Sequence, residues 1–258
     1  MKILARKILA IGDIHGHTFW KKYARNISTY NKMIFMGDYV DQWPPLSSAA
    51  ILKNFKEIIG FAEENKDKVV LLYGNHEFQY FNLLRYHCPG FRPDYENQVK
   101  ELLIKNKSLF KMAYQAGNTL FTHAGLIKGY WQSLKKNPEL NNINFNISAK
   151  RNYADILNDI FNYNANVFWS ITPYRRGLDA YGSCIWADIR EFTDKVSPGV
   201  LNSEAIISGL NQVMGHQPIP EIKKYSDITE KTWHTWIDTY SWKGSEVMPV
   251  LEVGGGEV

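Results

Sequence analysis

Short apolar runs, each closing on a glycine and then on a residue able to bind a metal, recur along this chain. Ile8-Leu9-Ala10-Ile11 leads into Gly12-Asp13-Ile14-His15-Gly16. Met33-Ile34-Phe35-Met36 leads into Gly37-Asp38-Tyr39-Val40-Asp41, and Val69-Val70-Leu71-Leu72-Tyr73 into Gly74-Asn75-His76-Glu77. Asn118 to Thr122 leads into His123-Ala124-Gly125, and Val213-Met214 into Gly215-His216. Short runs without alternation read as strands buried on both faces. Between them the period changes. His17 to Ile27 predicts a first helix. Pro44-Pro45 bars helix until Ser47, a good N-cap, after which Ile51, Phe55, Ile58, Ile59 and Ala62 form one apolar stripe. Gly60 weakens that helix locally, by about 1 kcal/mol relative to alanine. Up to Gly74 the order is strand, helix, strand, helix, strand, which implies a mainly parallel sheet with crossover helices. Strands joined in this way present their carboxyl ends at one edge, where ligands collect.

Further along, residues 87–93 read as irregular and Glu96 to Lys107 as a helix. Asn137 to Asn166 is dense in asparagine, yet Ser148 followed by Ala149, Tyr153, Ile156, Leu157 and Ile160 predicts a capped helix with one apolar face. Phe168 to Glu191 has no clean period and is either a wall over the strand ends or an irregular surface connection. Thr232 to Asp238 and Glu246 to Val253 alternate, as half-exposed strands do. The expected fold class is α/β, as one domain over residues 1–253. Within it, 137–191 is a candidate insert walling the substrate site, and 254–258 is expected to be a frayed tail.

Composition adds little to this picture. With 258 residues, 45% hydrophobic and 22% charged, the chain has the make-up of an ordinary soluble protein. A formal charge of +4 is too small to argue for nucleic acid, and no specific nucleic-acid binding is expected. Cys88 and Cys184 lack metal-type spacing and read as reduced thiols, so a cytoplasmic location is expected. No stretch approaches a membrane span, and the apolar run near the start is too short for a signal-peptide core.

The chemistry lies in the motif ends. Asp13, His15, Asp38, Asn75, His123 and His216 offer carboxylate, amide oxygen and imidazole nitrogen, with no thiolate. Such a set suits Mn²⁺, Fe, Zn²⁺ or Mg²⁺. Six groups exceed what one tetrahedral ion takes, and a carboxylate shared between two ions fits the count better. In two-metal hydrolases the ions lie roughly 3.5–4 Å apart. The neighbouring glycines let the backbone turn sharply and approach closely.

The five blocks, in this order, resemble the signatures of the calcineurin-like metallophosphoesterases, and within them the phosphoprotein-phosphatase group, which includes the dinucleoside-tetraphosphatases. The resemblance spans residues 12 to 216. It implies two packed sheets flanked by helices, with the motif loops at strand carboxyl ends. It implies a first metal held by Asp13, His15 and the bridging Asp38, and a second completed by Asn75, His123 and His216. His76 would be the general acid, oriented by Asp41, and Glu77 a structural partner. The cofactors implied are two divalent ions, with Mn²⁺ the leading choice. The reaction implied is hydrolysis of a phosphate monoester, on a phosphoprotein or a small phosphorylated compound. The alternatives are a hydrolase of nucleotide anhydrides or phosphodiesters, such as dinucleoside polyphosphates, and a non-catalytic metal-binding domain. One position departs from the family pattern. Gln42 stands where an arginine usually clamps phosphate, and glutamine brings no charge. Arg190, then Arg176, are the candidates to replace it.

Overall fold

The computed structural model describes residues 6–42, 46–81, 86–227, 229, 231–239 and 250–253. Among these, ten strands form two five-stranded sheets. They are β1 (Arg6–Ile11), β2 (Lys32–Phe35), β3 (Val69–Leu72), β4 (Phe110–Lys111), β5 (Ala113–Ala116), β6 (Thr119–Thr122), β7 (Asn211–Met214), β8 (Lys223–Asp227), β9 (Thr232–Trp236) and β10 (Val250–Val253). The first sheet runs β10-β1-β2-β3-β4 and the second β5-β6-β7-β9-β8. β1 to β4 are parallel, with Leu9 opposite Met33, Ile34 opposite Val70 and Leu71 opposite Phe110, while β10 pairs antiparallel to β1. In the second sheet β6, β7 and β9 are parallel, and β5 and β8 close the edges antiparallel.

The unbroken apolar runs are explained by burial on both faces. Ile8, Ala10, Ile34, Val70 and Leu72 meet Phe121, Val213 and Ile237 of the second sheet in one inter-sheet cluster. The alternate residues Leu9, Ile11, Met33, Phe35 and Leu71 pack outward with Ile51, Phe55 and Ile58 of the helix Ser48–Glu64. Fully burying each such side chain stabilises the fold by roughly 1.5–3 kcal/mol. Ser47 caps this helix as its sequence predicts, accepting from the Ala50 N–H at 3.2 Å. Leu120, Met214 and Trp236 face the other way and pack with Leu126, Phe168 and Phe192.

Several expectations are corrected. The first helix is only Trp20–Ala24, followed by a 3₁₀ turn at Ile27–Thr29. The His17 carbonyl is drawn off to the Asn54 amide, which also accepts from the Trp20 indole. The helix from Glu96 ends at Lys105. The helix expected after Ser148 begins at Tyr153 and is capped by Asn152. Asn152 and Asp155 exchange side-chain and backbone hydrogen bonds of 3.0 and 2.9 Å, a reciprocal pairing that Ser148 could not make with Arg151 three residues on. Ser148 and Arg151 instead bond backbone to backbone, and Ala149 is exposed. β9 is not half-exposed: it lies between β7 and β8, and its polar His234 and Thr235 are buried. Part of the expected Glu246–Val253 strand is present as β10. Its first four residues lie outside the described residues, as do the 254–258 tail and Pro44-Pro45.

Candidate metal centre

β1, β2, β3, β6 and β7 all end at one edge of the paired sheets, and the loops that follow are tied to one another. The N–H groups of Ile14 and His15 donate to the Asp38 carbonyl, and that of Gly16 to the Tyr39 carbonyl. Gly215 N–H donates to the His123 carbonyl at 2.8 Å. His216 N–H donates to both carboxylate oxygens of Asp13, at 3.0 and 3.1 Å, joining the two sheets. The Glu77 carboxylate accepts from the backbone N–H groups of Asp38, Tyr39, Val40 and Gly74, and so clamps the second loop to the third.

Strain is concentrated here. His15, Asp38, Asp41 and His216 have φ of 42°, 51°, 62° and 63°. The glycines expected to absorb the turns do so only in part. Gly74 and Gly215 have ordinary backbones and serve close approach instead. A Cβ on Gly74 would overlap Asp38 Oδ1, and one on Gly215 would overlap Asp13 Oδ1. Residues in this left-handed region cost of order 1–3 kcal/mol each and persist where the surroundings over-determine them.

Two clusters of possible ligands share one carboxylate. His15, Asp38 and His76 form the first, and Asp38, His123 and His216 the second, with ligand atoms within 4.8 Å of one another. The tautomers follow from the outer hydrogen bonds. His123 Nδ1 faces the Met36 carbonyl at 2.8 Å, so it carries the proton and Nε2 bears a lone pair. Around that lone pair stand Asn75 Oδ1 at 2.9 Å, His216 Nδ1 at 3.0 Å and Asp38 Oδ2 at 3.4 Å. Likewise His15 Nδ1 faces the carbonyls of Val40 and Asp41, which leaves its Nε2 toward Asp38 Oδ2 at 3.7 Å. The Asn75 amide is oriented by its NH₂, which donates to Cys88 Sγ at 3.2 Å. His123 Nε2, Asn75 Oδ1 and Asp38 Oδ2 are acceptors converging in a buried place, and a cation between them would satisfy all three. The donor set fits divalent metal on this ground.

His76, a member of the first cluster, is also paired with Asp41. Its Nδ1 lies 3.2 Å from Asp41 Oδ2 and its Nε2 3.9 Å from Asp38 Oδ2. Asp41 is fully buried and accepts from the hydroxyls of Tyr80 and Tyr95 at 2.6 and 2.7 Å, and from the Gln79 amide. Gln79 also accepts from the Cys88 N–H. Burial works against a charged His76, but the Asp38 charge and the hydrogen-bonded Asp41 outweigh it and lift the imidazole to about 9. Burial would raise Asp38 too, yet His123, His76 and His15 hold it well below the usual carboxylate range. Asp13 is pushed well up, by burial and then by Asp238 and Asp38. His216 is pushed well down, by burial and then by Arg175.

A cleft of about 500 Å³ opens over these groups, lined among others by Tyr86, Tyr174, Arg175, Arg176, Trp186 and Asp238. Arg176 is exposed at its edge. Arg190 does not line it. Its guanidinium is bidentate to Asp188 at 2.7 and 3.0 Å and lies over the Tyr174 ring, in the neighbouring groove. Arg175, passed over in the sequence, lines the cleft and is fixed there by Asp188 at 2.8 Å and Gln217 at 2.7 Å. Gln42 turns to His17, and its backbone carbonyl accepts from Arg92. Of the 137–191 segment, only Tyr174, Arg175, Arg176 and Trp186 line this cleft. The helix Tyr153–Asn164 packs on β5 through Asn158 instead. Gln79, Tyr80, Tyr95, Cys88 and Asp238 were all missed in the sequence. Asp238 alone repeats the pattern of an acid just past a strand end, though without a glycine.

The sequence matches the family Calcineurin-like phosphoesterase over residues 6–220. The chain belongs to that family. It is therefore a metal-dependent phosphoesterase, acting on a phosphorylated substrate. No curated protein sequence matches it. Its fold is similar to that of a cold-active protein-tyrosine phosphatase of the psychrophile Shewanella sp., at 15% identity and a TM-score of 0.54, over 96% of this chain and 80% of that one. It is also similar to a protein serine/threonine phosphatase from Saccharomyces cerevisiae, at 12% identity and a TM-score of 0.50, over 98% of this chain and 81% of that one. These likenesses agree with the two-sheet α/β fold flanked by helices. Among the described residues, no helix is long and apolar enough to cross a membrane.

Proposed function

We propose that this phosphoesterase is a two-metal phosphomonoesterase. The observation that carries the reading is the position of Asp38, shared by both histidine clusters, with His76 of the first also paired to Asp41. Asp13, His15 and Asp38 would hold one ion, and Asp38, Asn75, His123 and His216 the other. The donors, oxygen and imidazole nitrogen, suit Mn²⁺, Fe, Zn²⁺ or Mg²⁺, and Mn²⁺ is the leading choice on the family resemblance. When bound, two divalent ions supply an activated water and stabilise charge on the phosphoryl oxygens.

The chain's own residues supply the rest. His76 Nδ1–H stays on Asp41, which three further donors hold in place. Its Nε2 proton is then free to pass to the departing alkoxide oxygen as the P–O bond breaks. Arg175 and Arg176 bind the phosphate oxygens from the cleft edge, replacing the charge absent at Gln42; Arg190 acts only through Asp188, which it shares with Arg175. Tyr86 and Trp186, edge to face at 5.1 Å, wall the cleft beside His216. Both cysteines are free thiols, which is in keeping with a cytoplasmic setting.

The test compares turnover of p-nitrophenyl phosphate, bis(p-nitrophenyl) phosphate and a dinucleoside tetraphosphate, with Mn²⁺ supplied. The monoester is expected to be hydrolysed fastest. Preference for the diester or the tetraphosphate would replace this reading with the nucleotide or diester one, and no turnover of any would leave a metal-binding domain.

A further inference from the structure

The motif blocks supply two aspartates to the centre, and the structure brings a third carboxylate, Asp238, to the same cleft. It stands two residues past the end of β9, where the chain leaves the sheet edge beside the Gly12-Asp13 turn. It is 1% exposed, and its carboxyl lies within hydrogen-bonding reach of that of Asp13. His15 also feels its charge.

The backbone holds Asp238 there. Its carbonyl accepts from the Ile219 N–H at 3.0 Å, and the preceding Ile237 N–H donates to Met214 at 2.9 Å. Gly12 packs so closely that a Cβ on it would come within 2.9 Å of the Ile237 carbonyl oxygen and 3.3 Å of Asp238 Cα. The placement is therefore built into the meeting of β1 and β9. A short aspartate side chain cannot reach away from it.

The surroundings of the pair need positive charge. Three carboxylates, those of Asp13, Asp38 and Asp238, line one cleft, and all three are buried. Arg175, the half-buried arginine of the cleft, is anchored by Asp188 and the His216 loop rather than by this pair. Two buried carboxylates side by side are costly unless they share a proton or a cation stands between or beside them. His15 and Asp38 line the same cleft as the pair, and the Nε2 of His15 faces Asp38.

We propose that Asp238 is a further carboxylate of the first metal position, joining Asp13, His15 and Asp38. The proposal rests on the two-metal reading and deepens it. The two positions then differ in chemistry. The first has three carboxylates and one imidazole, and the second shares Asp38 and adds an amide oxygen and two imidazoles. Oxygen-rich sites favour Mn²⁺ or Mg²⁺, whereas imidazole suits Zn²⁺ and Fe. The first position is the harder one, favouring Zn²⁺ over Mn²⁺ less than the second does, and Asp238 makes it so.

The test is calorimetric titration of metal-stripped protein with Mn²⁺, for the wild type, Asp238→Asn and Asp238→Ser, followed by Zn²⁺ competition. Melting of each metal-free variant is recorded alongside. The wild type is expected to take up two ions. Both variants should bind one of them about 10–100-fold more weakly, the range seen when groups supporting metal ligands are lost, and leave the other within twofold. Zn²⁺ should compete better at the weakened position. Unchanged affinity at both positions overturns the proposal. Equal weakening of both, with a lowered melting temperature of the metal-free chain, also overturns it and makes Asp238 structural. A wild type that binds fewer than two ions defeats the two-metal reading itself, which separates that failure from this one.

Discussion

His76 carries the sharpest consequence at the scale of single residues. Its two nitrogens face different partners, Asp41 on one side and the shared carboxylate of Asp38 on the other. A proton donor matters most when the leaving group is a poor one. His76→Asn should therefore lower kcat for alkyl phosphates by about 10²–10⁴-fold, and for p-nitrophenyl phosphate far less. Steady-state kinetics on both substrates checks this, and equal losses would remove His76 from the acid role. The same residue sets a pH dependence in the metal-free chain. His76 is raised to about 9 from an ordinary 6.5, and burial with the nearby Asp38 raises Glu77 to about 8. Both groups hold protons in the folded chain that the unfolded chain releases. Their stabilisation is complete below the unfolded values and is lost as pH rises through the folded ones. Metal-free protein should lose stability as pH rises from about 6.5 to about 9, by about 1.4 kcal/mol per pH unit for the His76 proton, with the Glu77 proton adding to the loss only up to about pH 8. Thermal melts across that window measure it, and stability rising with pH would contradict it. The residues with left-handed backbones also show where sequence reading stops. Glycine announces a positive φ, whereas nothing in the letters of His15, Asp38, Asp41 and His216 announces theirs.

At the scale of elements, the carboxyl ends of the strands do the positioning, and close packing of their loops fixes the distances. Gly74→Ala tests this. The added methyl would overlap Asp38 Oδ1 and stand 2.5 Å from the Asp38 N–H nitrogen. Displacing Asp38 by about 1 Å should cost about 10²-fold in kcat/KM, with far-UV circular dichroism unchanged. Wild-type activity in Gly74→Ala would mean that the loops are slack. The strands bearing the five blocks were legible, because burial on both faces leaves unbroken apolar runs. So was the helix after Ser47, with its stripe and cap. The edge strands β5 and β8 were not, because Ala113–Ala116 and Lys223–Asp227 are short and partly solvated. β9 was seen as a strand but set at the surface, since its polar His234 and Thr235 are buried between β7 and β8, which no pattern announces. Asp238 was lost with it. The donors around Asp41 come from residues spaced 38 to 54 positions away, and such pairing is a property of the fold.

For the whole molecule, the proposed metal centre is also the seam between the two sheets. Asp13 of the first sheet receives His216 of the second, and Asp38 of the first faces His123 of the second. Ions bound there bridge both halves, so occupancy should stabilise the entire chain. At 100 times the dissociation constant, each site adds about 2.7 kcal/mol, or roughly 5–11 °C in Tm at about 2–4 °C per kcal/mol for a chain of this size. A melting temperature indifferent to Mn²⁺ would place the ions elsewhere. The most direct test of the shared-carboxylate centre is metal content by inductively coupled plasma mass spectrometry, on wild type and Asp38→Asn reconstituted side by side with Mn²⁺. The predicted result is two ions per wild-type chain and loss of both in Asp38→Asn, because each cluster loses its common oxygen. One ion in the wild type, or two retained at full affinity in Asp38→Asn, would contradict it.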